Sequence, residues 1–197
     1  MNIEACVDDY KRIYRPLSQV EKDFYSKQQT LSNVISVAAN CRCSNGKKHT
    51  HQNRIPVSVL REAEQQLLAH QDTLKAAQDF ATLHGRIDTL IGSIKGIGEL
   101  AVYDIAYRIA AFLRFEPDQV YLHAGTREGA AALGFSGRLI EKHQLPAFAQ
   151  LTAAEIEDCL CIYKDDLSGQ GNSSALCSGE TRVSACKPTK ARSKRGC

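Results

Sequence analysis

The stretch Leu90-Ile91-Gly92-Ser93-Ile94-Lys95-Gly96-Ile97-Gly98-Glu99-Leu100-Ala101-Val102-Tyr103-Asp104-Ile105-Ala106 constrains this chain more than any other, because it reads as two short helices joined by a Gly-Ile-Gly turn. Glycine has no Cβ, so Gly96 and Gly98 can take turn conformations closed to other residues and let another molecule approach the backbone. The helix starting near Glu99 then presents its first N–H groups, with the positive end of its dipole behind them, to an anion such as a phosphate. Ile97, between the glycines, is the apolar plug expected to pin the turn to both helices.

The rest of the chain reads as helix. From Pro16 to Asn40 apolar residues fall at Leu17, Val20, Phe24, Leu31, Val34, Ile35 and Ala38, and Ser18-x-x-Glu21 has the form of a capping box. Pro56 opens a second amphipathic segment, with Leu60, Ala63, Leu67, Leu74, Ala77 and Ala81 on one face, running to His84-Gly85. The second helix of the turn motif continues from Tyr103 to Phe115, where Glu116-Pro117 stops it. Short helices are expected over 118–123, 126–133 and 137–143, and Thr152-x-x-Glu155 caps another through Ile156, Leu160 and Tyr163. The expected fold is therefore all-α: one helical domain over residues 1–167, with the paired helices at about 86–114, followed by a disordered basic tail over 168–197.

Charge is unevenly spread. Residues 180–197 hold six basic side chains and one acidic, a local +5 against a net +3 for all 197 residues, so the first 179 sum to −2. Attraction to a polyanion would come from this tail and from local patches, not from the body as a whole. No apolar run approaches the roughly 20 residues needed to cross a bilayer. The start, Met1-Asn2-Ile3-Glu4-Ala5-Cys6-Val7-Asp8-Asp9, has neither basic nor apolar leader character, so a cytoplasmic location with reduced thiols is expected.

Residues Leu90 to Phe135 resemble the hairpin region of the helix-hairpin-helix DNA glycosylase superfamily. The Gly96-Ile97-Gly98 turn carries the likeness, supported by Val120-Tyr121-Leu122-His123, similar to that family's Val-Asp-Thr-His run, and by Leu133-Gly134. It covers about a quarter of the chain. The resemblance implies binding to the DNA backbone without sequence preference, at Lys95, Gly96, Ile97 and Gly98. It does not carry over lyase chemistry, because Leu100 stands where bifunctional members place a Schiff-base lysine. Nor does it carry over an iron–sulfur cluster, since Cys159, Cys161, Cys177, Cys186 and Cys197 lack the close spacing that such clusters use.

Two residue groups carry open alternatives. The resemblance implies a catalytic carboxylate that would stabilise a sugar cation, as in a monofunctional glycosylase: counting from the second glycine places Asp118 there, whereas matching His123 places Tyr121, which cannot do that work; an aspartate after proline also suits the start of a helix as a cap. In the polar loop 41–54, Cys41-x-Cys43 and His49-x-His51 offer zinc-ligand types, but one residue between each pair is poor spacing for a tetrahedral site, so no metal and no cofactor are expected. Lys47, Lys48 and Arg54 of that loop instead read as a basic patch for DNA. The expected function is non-catalytic DNA-backbone binding. The competing readings are a glycosylase-like enzyme using Asp118, and a helical protein-interaction module in which Ile94, Ile97, Leu100 and Ile105 are merely core.

Overall fold

The structure, a computed structural model, describes residues 2–169. The tail expected over 168–197 therefore lies, but for its first two residues, outside the described range. Among the described residues the chain is mostly helical, with α1 at Ile3–Ser26, α2 at Leu31–Ala39, α3 at Val57–Ala69, α4 at Gln71–Lys75, α5 at Phe80–Ile91 and α6 at Glu99–Leu113. Strand β1 at Gln119–Tyr121, α7 at Ala124–Ala132, strand β2 at Leu139–Glu141, α8 at Ala153–Ile162 and α9 at Lys164–Leu167 complete it. No helix of the described residues is long and apolar enough to cross a membrane.

Capping explains several departures from the periodicity. The helix expected over 16–40 is two helices: α1 begins far earlier, where the Asn2 side chain accepts from Glu4 N at 3.2 Å, and carries Pro16 in its interior. Thr30 starts α2 afresh by accepting from Asn33 N at 3.1 Å. The Ser18-x-x-Glu21 pair caps nothing; Ser18 donates to Asp158 Oδ2 at 3.4 Å and Glu21 accepts from Ser44 N at 3.0 Å, both long-range contacts. The segment from Pro56 to Gly85 likewise breaks into α3, α4 and α5, the last restarted by Asp79, which accepts from Thr82 N at 2.7 Å. The Thr152–Glu155 capping box forms as expected at the head of α8.

The all-α expectation needs one correction. Where short helices were expected over 118–123 and 137–143, β1 and β2 pair antiparallel, with Gln119 opposite Glu141, Val120 opposite Ile140 and Tyr121 opposite Leu139. Val120 and Ile140 are buried while their neighbours are not, the period-two alternation of a half-buried sheet. Three-residue strands are too short to show that period against a helical background, and their pairing is fixed by tertiary contact.

Helix α6 is the centre of the molecule: nine of its residues are buried, and it packs on α1, α2 and α5. One apolar cluster gathers Ile35, Leu60, Leu67, Phe80, Ile87, Ile97, Ile105 and Ile109 from α2 through α6. A second gathers Tyr10, Val120, Ile140, Phe148, Ile156 and Leu160 from α1, the small sheet and α8. Where α7 crosses α8, a Cβ on Gly129 would stand 2.1 Å from the carbonyl oxygen of Leu160, so only glycine lets the helices approach this closely. Gly129→Ala is therefore expected to lower the unfolding free energy by about 1–3 kcal/mol through overpacking. Gly85→Ala within α5, where a Cβ meets nothing within 4 Å, should instead stabilise by up to about 1 kcal/mol. Urea titrations of the two variants check both signs.

Candidate nucleic-acid interface and adjoining cleft

The link between α5 and α6 is a compact turn held from within. Ile97 N donates to Ile94 O at 2.9 Å, and the Ile97 side chain, 8% exposed, joins the core beside Ile87, Ile91 and Ala101. Gly96 has φ +104°, a left-handed conformation that other residues adopt only with strain, and it packs against Val59 near the start of α3. Gly98 differs: its φ of −111° and ψ of 172° are extended backbone open to any residue, and nothing lies within 4 Å of a Cβ placed there. Gly98 is the N-cap of α6, and no side chain caps the helix. Lys95, Gly96 and Gly98 are all exposed, so the face of the turn and the helix start are open to another molecule.

The expected basic loop divides. Lys47 and Arg54 are exposed, and Arg54 lies three residues before the start of α3, whose Val59 flanks the turn. Lys48 is committed inward, its Nζ donating to Ile55 O at 2.6 Å. The cysteines and histidines of the loop serve separate contacts. His51 Nε2 lies 2.7 Å from Asp104 Oδ2 on α6, and Gln52 Nε2 donates to the same oxygen at 2.8 Å. Arg108 adds a third contact to that oxygen at 3.3 Å. Burial would raise the Asp104 pKa, but Arg108 and His51 outweigh it and hold the carboxyl at about 2.

Tyr25 Oη donates to Arg42 O at 2.6 Å and so accepts from His49 Nε2 at 2.9 Å, which makes Nε2 the protonated nitrogen of that ring. Burial drives the His49 pKa down to about 3, so it is neutral. Glu21, Cys43 and His49 bring one potential ligand atom each within 4.8 Å of one another. With His49 Nε2 carrying its proton toward Tyr25 Oη, that nitrogen has no lone pair to give an ion, and the trio does not fit a metal.

Asp118 heads neither a helix nor a cleft beside the turn. It is exposed at the foot of β1 and lines a shallow depression with Glu141, Lys142, His143 and Pro146. The cleft that does adjoin the turn lies between α5, α6, β1 and α7, encloses about 290 Å³, and has Glu99 on its rim. The Tyr121 and His84 rings stand 4.7 Å apart at its wall, with Tyr103 5.4 Å from Tyr121. His123 lines it, and the Nε2 of that ring lies 2.6 Å from the buried Glu157 Oε1 without a well-aligned hydrogen bond, while Thr126 Oγ1 donates to the same oxygen at 2.8 Å. At its mouth Arg127 and Arg138 both bind Glu99. None of His84, Arg127, Arg138 and Glu157 was marked by a sequence motif; Tyr103 falls inside the turn stretch, and Tyr121 and His123 were marked only by resemblance.

Compared with protein-family models, with curated proteins and with solved structures, the chain matches none of them. The site therefore has to be read from its own chemistry.

Burial lowers the pKa of His123, but its contact with Glu157 outweighs this and the net direction is upward from 6.5. A raised folded-state pKa means that this pair's contribution to stability is complete below pH 6.5 and is lost as pH rises through the higher folded value. A proton NMR titration is expected to place His123 above 6.5, and Glu157→Gln to bring it below, because burial, the largest influence, is then opposed only by Asp104. A His123 midpoint unmoved by Glu157→Gln would show that the carboxylate does not govern this ring.

Proposed function

We propose that the chain binds the phosphate backbone of DNA through residues Lys95 to Gly98 and the first turn of α6, without sequence preference and without catalysis. The observation that carries this reading is the open, uncapped start of a 15-residue helix behind an exposed Gly-Ile-Gly turn. Amides at such a start have no intrahelical acceptor and are backed by the helix dipole, which suits them to phosphate oxygens. Contacts of this kind fix the protein on the backbone and carry no base information, hence the lack of sequence preference.

Exposed Lys95 supplies a cation at the turn itself, and Arg54 and Lys47 are further exposed cations in the loop before α3, on a body that is otherwise slightly acidic. Two placements support the non-catalytic part. Leu100 offers no amine for attack on a sugar, and Asp118 opens onto a depression that shares no lining residue with the cleft beside the turn. The burial of Ile97 and Ile105 also agrees with a structural role for the apolar residues of the motif, but that role leaves the open helix start without a purpose.

Gly98→Val is the sharpest test. The extended backbone and empty surroundings of Gly98 accept valine without strain, so the melting temperature should hold while the branched side chain blocks the amides. Losing a charge-assisted contact of about 1.5–3 kcal/mol corresponds to a loss of about tenfold or more in affinity. Fluorescence anisotropy with duplexes of unrelated sequence should show the same loss for each. Unchanged affinity in the folded variant would remove the basis of the reading.

A further inference from the structure

We propose that Arg127 and Arg138 form a clasp for a phosphate monoester, the terminal phosphate of a nucleotide whose ring lies in the cleft behind them. The inference deepens the DNA-binding reading and rests on it where the nucleotide is the 5′-phosphorylated end of a strand; a free mononucleotide has the same chemistry.

The two arginines reach one point from separate elements, Arg127 from α7 and Arg138 from the segment before β2. Each takes a different oxygen of the same carboxylate: Arg127 binds Glu99 Oε2, and Arg138 Nη2 donates to Oε1 at 3.0 Å. Two guanidiniums converging on two oxygens of one anion is the arrangement in which arginines hold phosphate, and here the protein's own carboxylate fills the seat. Glu99 is the first residue of α6 and about half exposed, so its side chain can swing into solvent without disturbing the fold.

Charge selects the ligand. A phosphodiester carries one negative charge, as Glu99 does, so exchanging one for the other brings little electrostatic gain. A monoester carries nearly two, with three strong acceptor oxygens, and outcompetes the carboxylate. The cleft behind the clasp suits the remainder of a nucleotide. Tyr121, His84, Tyr103 and His123 are among its lining, and its volume is about 290 Å³. A base stacked on aromatic side chains gains about 1–3 kcal/mol with little regard to its identity.

The test measures binding of the full chain, by anisotropy or calorimetry, to four probes: a single-stranded oligonucleotide with a 5′-phosphate, the same strand with a 5′-hydroxyl, deoxyadenosine 5′-monophosphate, and inorganic phosphate. The phosphorylated strand is expected to bind about tenfold or more tightly than the hydroxyl strand. Arg138→Ala, at a side chain 82% exposed and so without consequence for folding, should abolish that difference, and Glu99→Gln should widen it by removing the competing carboxylate. The mononucleotide should bind more tightly than inorganic phosphate, an advantage that Tyr121→Ala should reduce. If the mononucleotide binds but the 5′-phosphate adds nothing on a strand, the ligand is free nucleotide and the clasp stands. Equal affinity for the two strands with no binding of the mononucleotide overturns it, as does a Glu99→Gln variant that binds no better. A blunt duplex with hydroxyl ends separates this inference from the backbone reading. Its failure to bind while the mononucleotide binds defeats that reading alone, and its binding while the 5′-phosphate adds nothing and the mononucleotide does not bind defeats the clasp alone.

Discussion

The loop before α3, the end of α2 and the Tyr25 ring of α1 are all tied to α6 by one charged pair that this helix carries. Asp104 and Arg108 stand one turn apart on a helix that is otherwise buried in apolar contacts, and neither could stay there unpaired. Each is held from several elements at once. Asp104 gathers His51 and Gln52 from the loop before α3, and Arg108 donates to Ala38 O at the end of α2 at 3.4 Å and lies 5.9 Å from the centre of the Tyr25 ring on α1. A buried ion pair of this kind adds little net stability over apolar residues of equal volume, but losing one partner costs several kcal/mol. Its use here is positional. By tying the loop to α6 it fixes where α3 begins, and α3 in turn supplies Val59 against Gly96 of the turn.

The cleft follows from the same arrangement. Tyr103 belongs to the apolar cluster of α2 through α6, whereas His123 leads into α7 beside the cluster built on α1, the small sheet and α8; the two rings meet with centroids 5.5 Å apart. The space between α5, α6, β1 and α7 is the seam of two cores, where packing is incomplete and polar groups can be held. His123, 2.6 Å from Glu157, lines the cleft, and Glu99 with its two arginines occupies its rim. The open helix start and the cleft are therefore neighbours through one residue, Glu99, which begins α6 on one side and lines the cleft on the other.

How much of this was legible in the sequence divides along local and non-local lines. The turn was legible because its determinants are adjacent: two glycines, an apolar plug and a helix start lie within four residues, and Ile97 is buried as its position required. The Thr152–Glu155 capping box was legible for the same reason. Helix boundaries inside long amphipathic stretches were not, since the breaks at residues 27–30 and 76–79 depend on Thr30 and Asp79 acting as caps within an otherwise continuous apolar pattern. Ser18 and Glu21 show the opposite error, a capping pattern whose side chains are spent on distant partners. The cleft left little local trace beyond the run that holds Tyr121 and His123, because residues 84, 103, 121, 123 and 157 are brought together only by α5, α6, the small sheet and α8 packing around them.

The overall charge is a poor guide to where such a chain meets an anion. A body summing to −2 still presents Arg127 and Arg138 side by side, because a single carboxylate offsets their mutual repulsion. That carboxylate stands at a helix N-terminus, where the dipole favours a negative charge, and the surrounding cations hold its pKa down. Glu99 is thus stabilised by the same field that would attract a ligand's phosphate. A group placed in this way keeps two arginines aligned in the absence of ligand, lowering the ordering cost of binding, while it raises the charge that an entering anion must bring. Preorganisation and competition are then one interaction seen from two sides, and the charge of the incoming group decides which prevails.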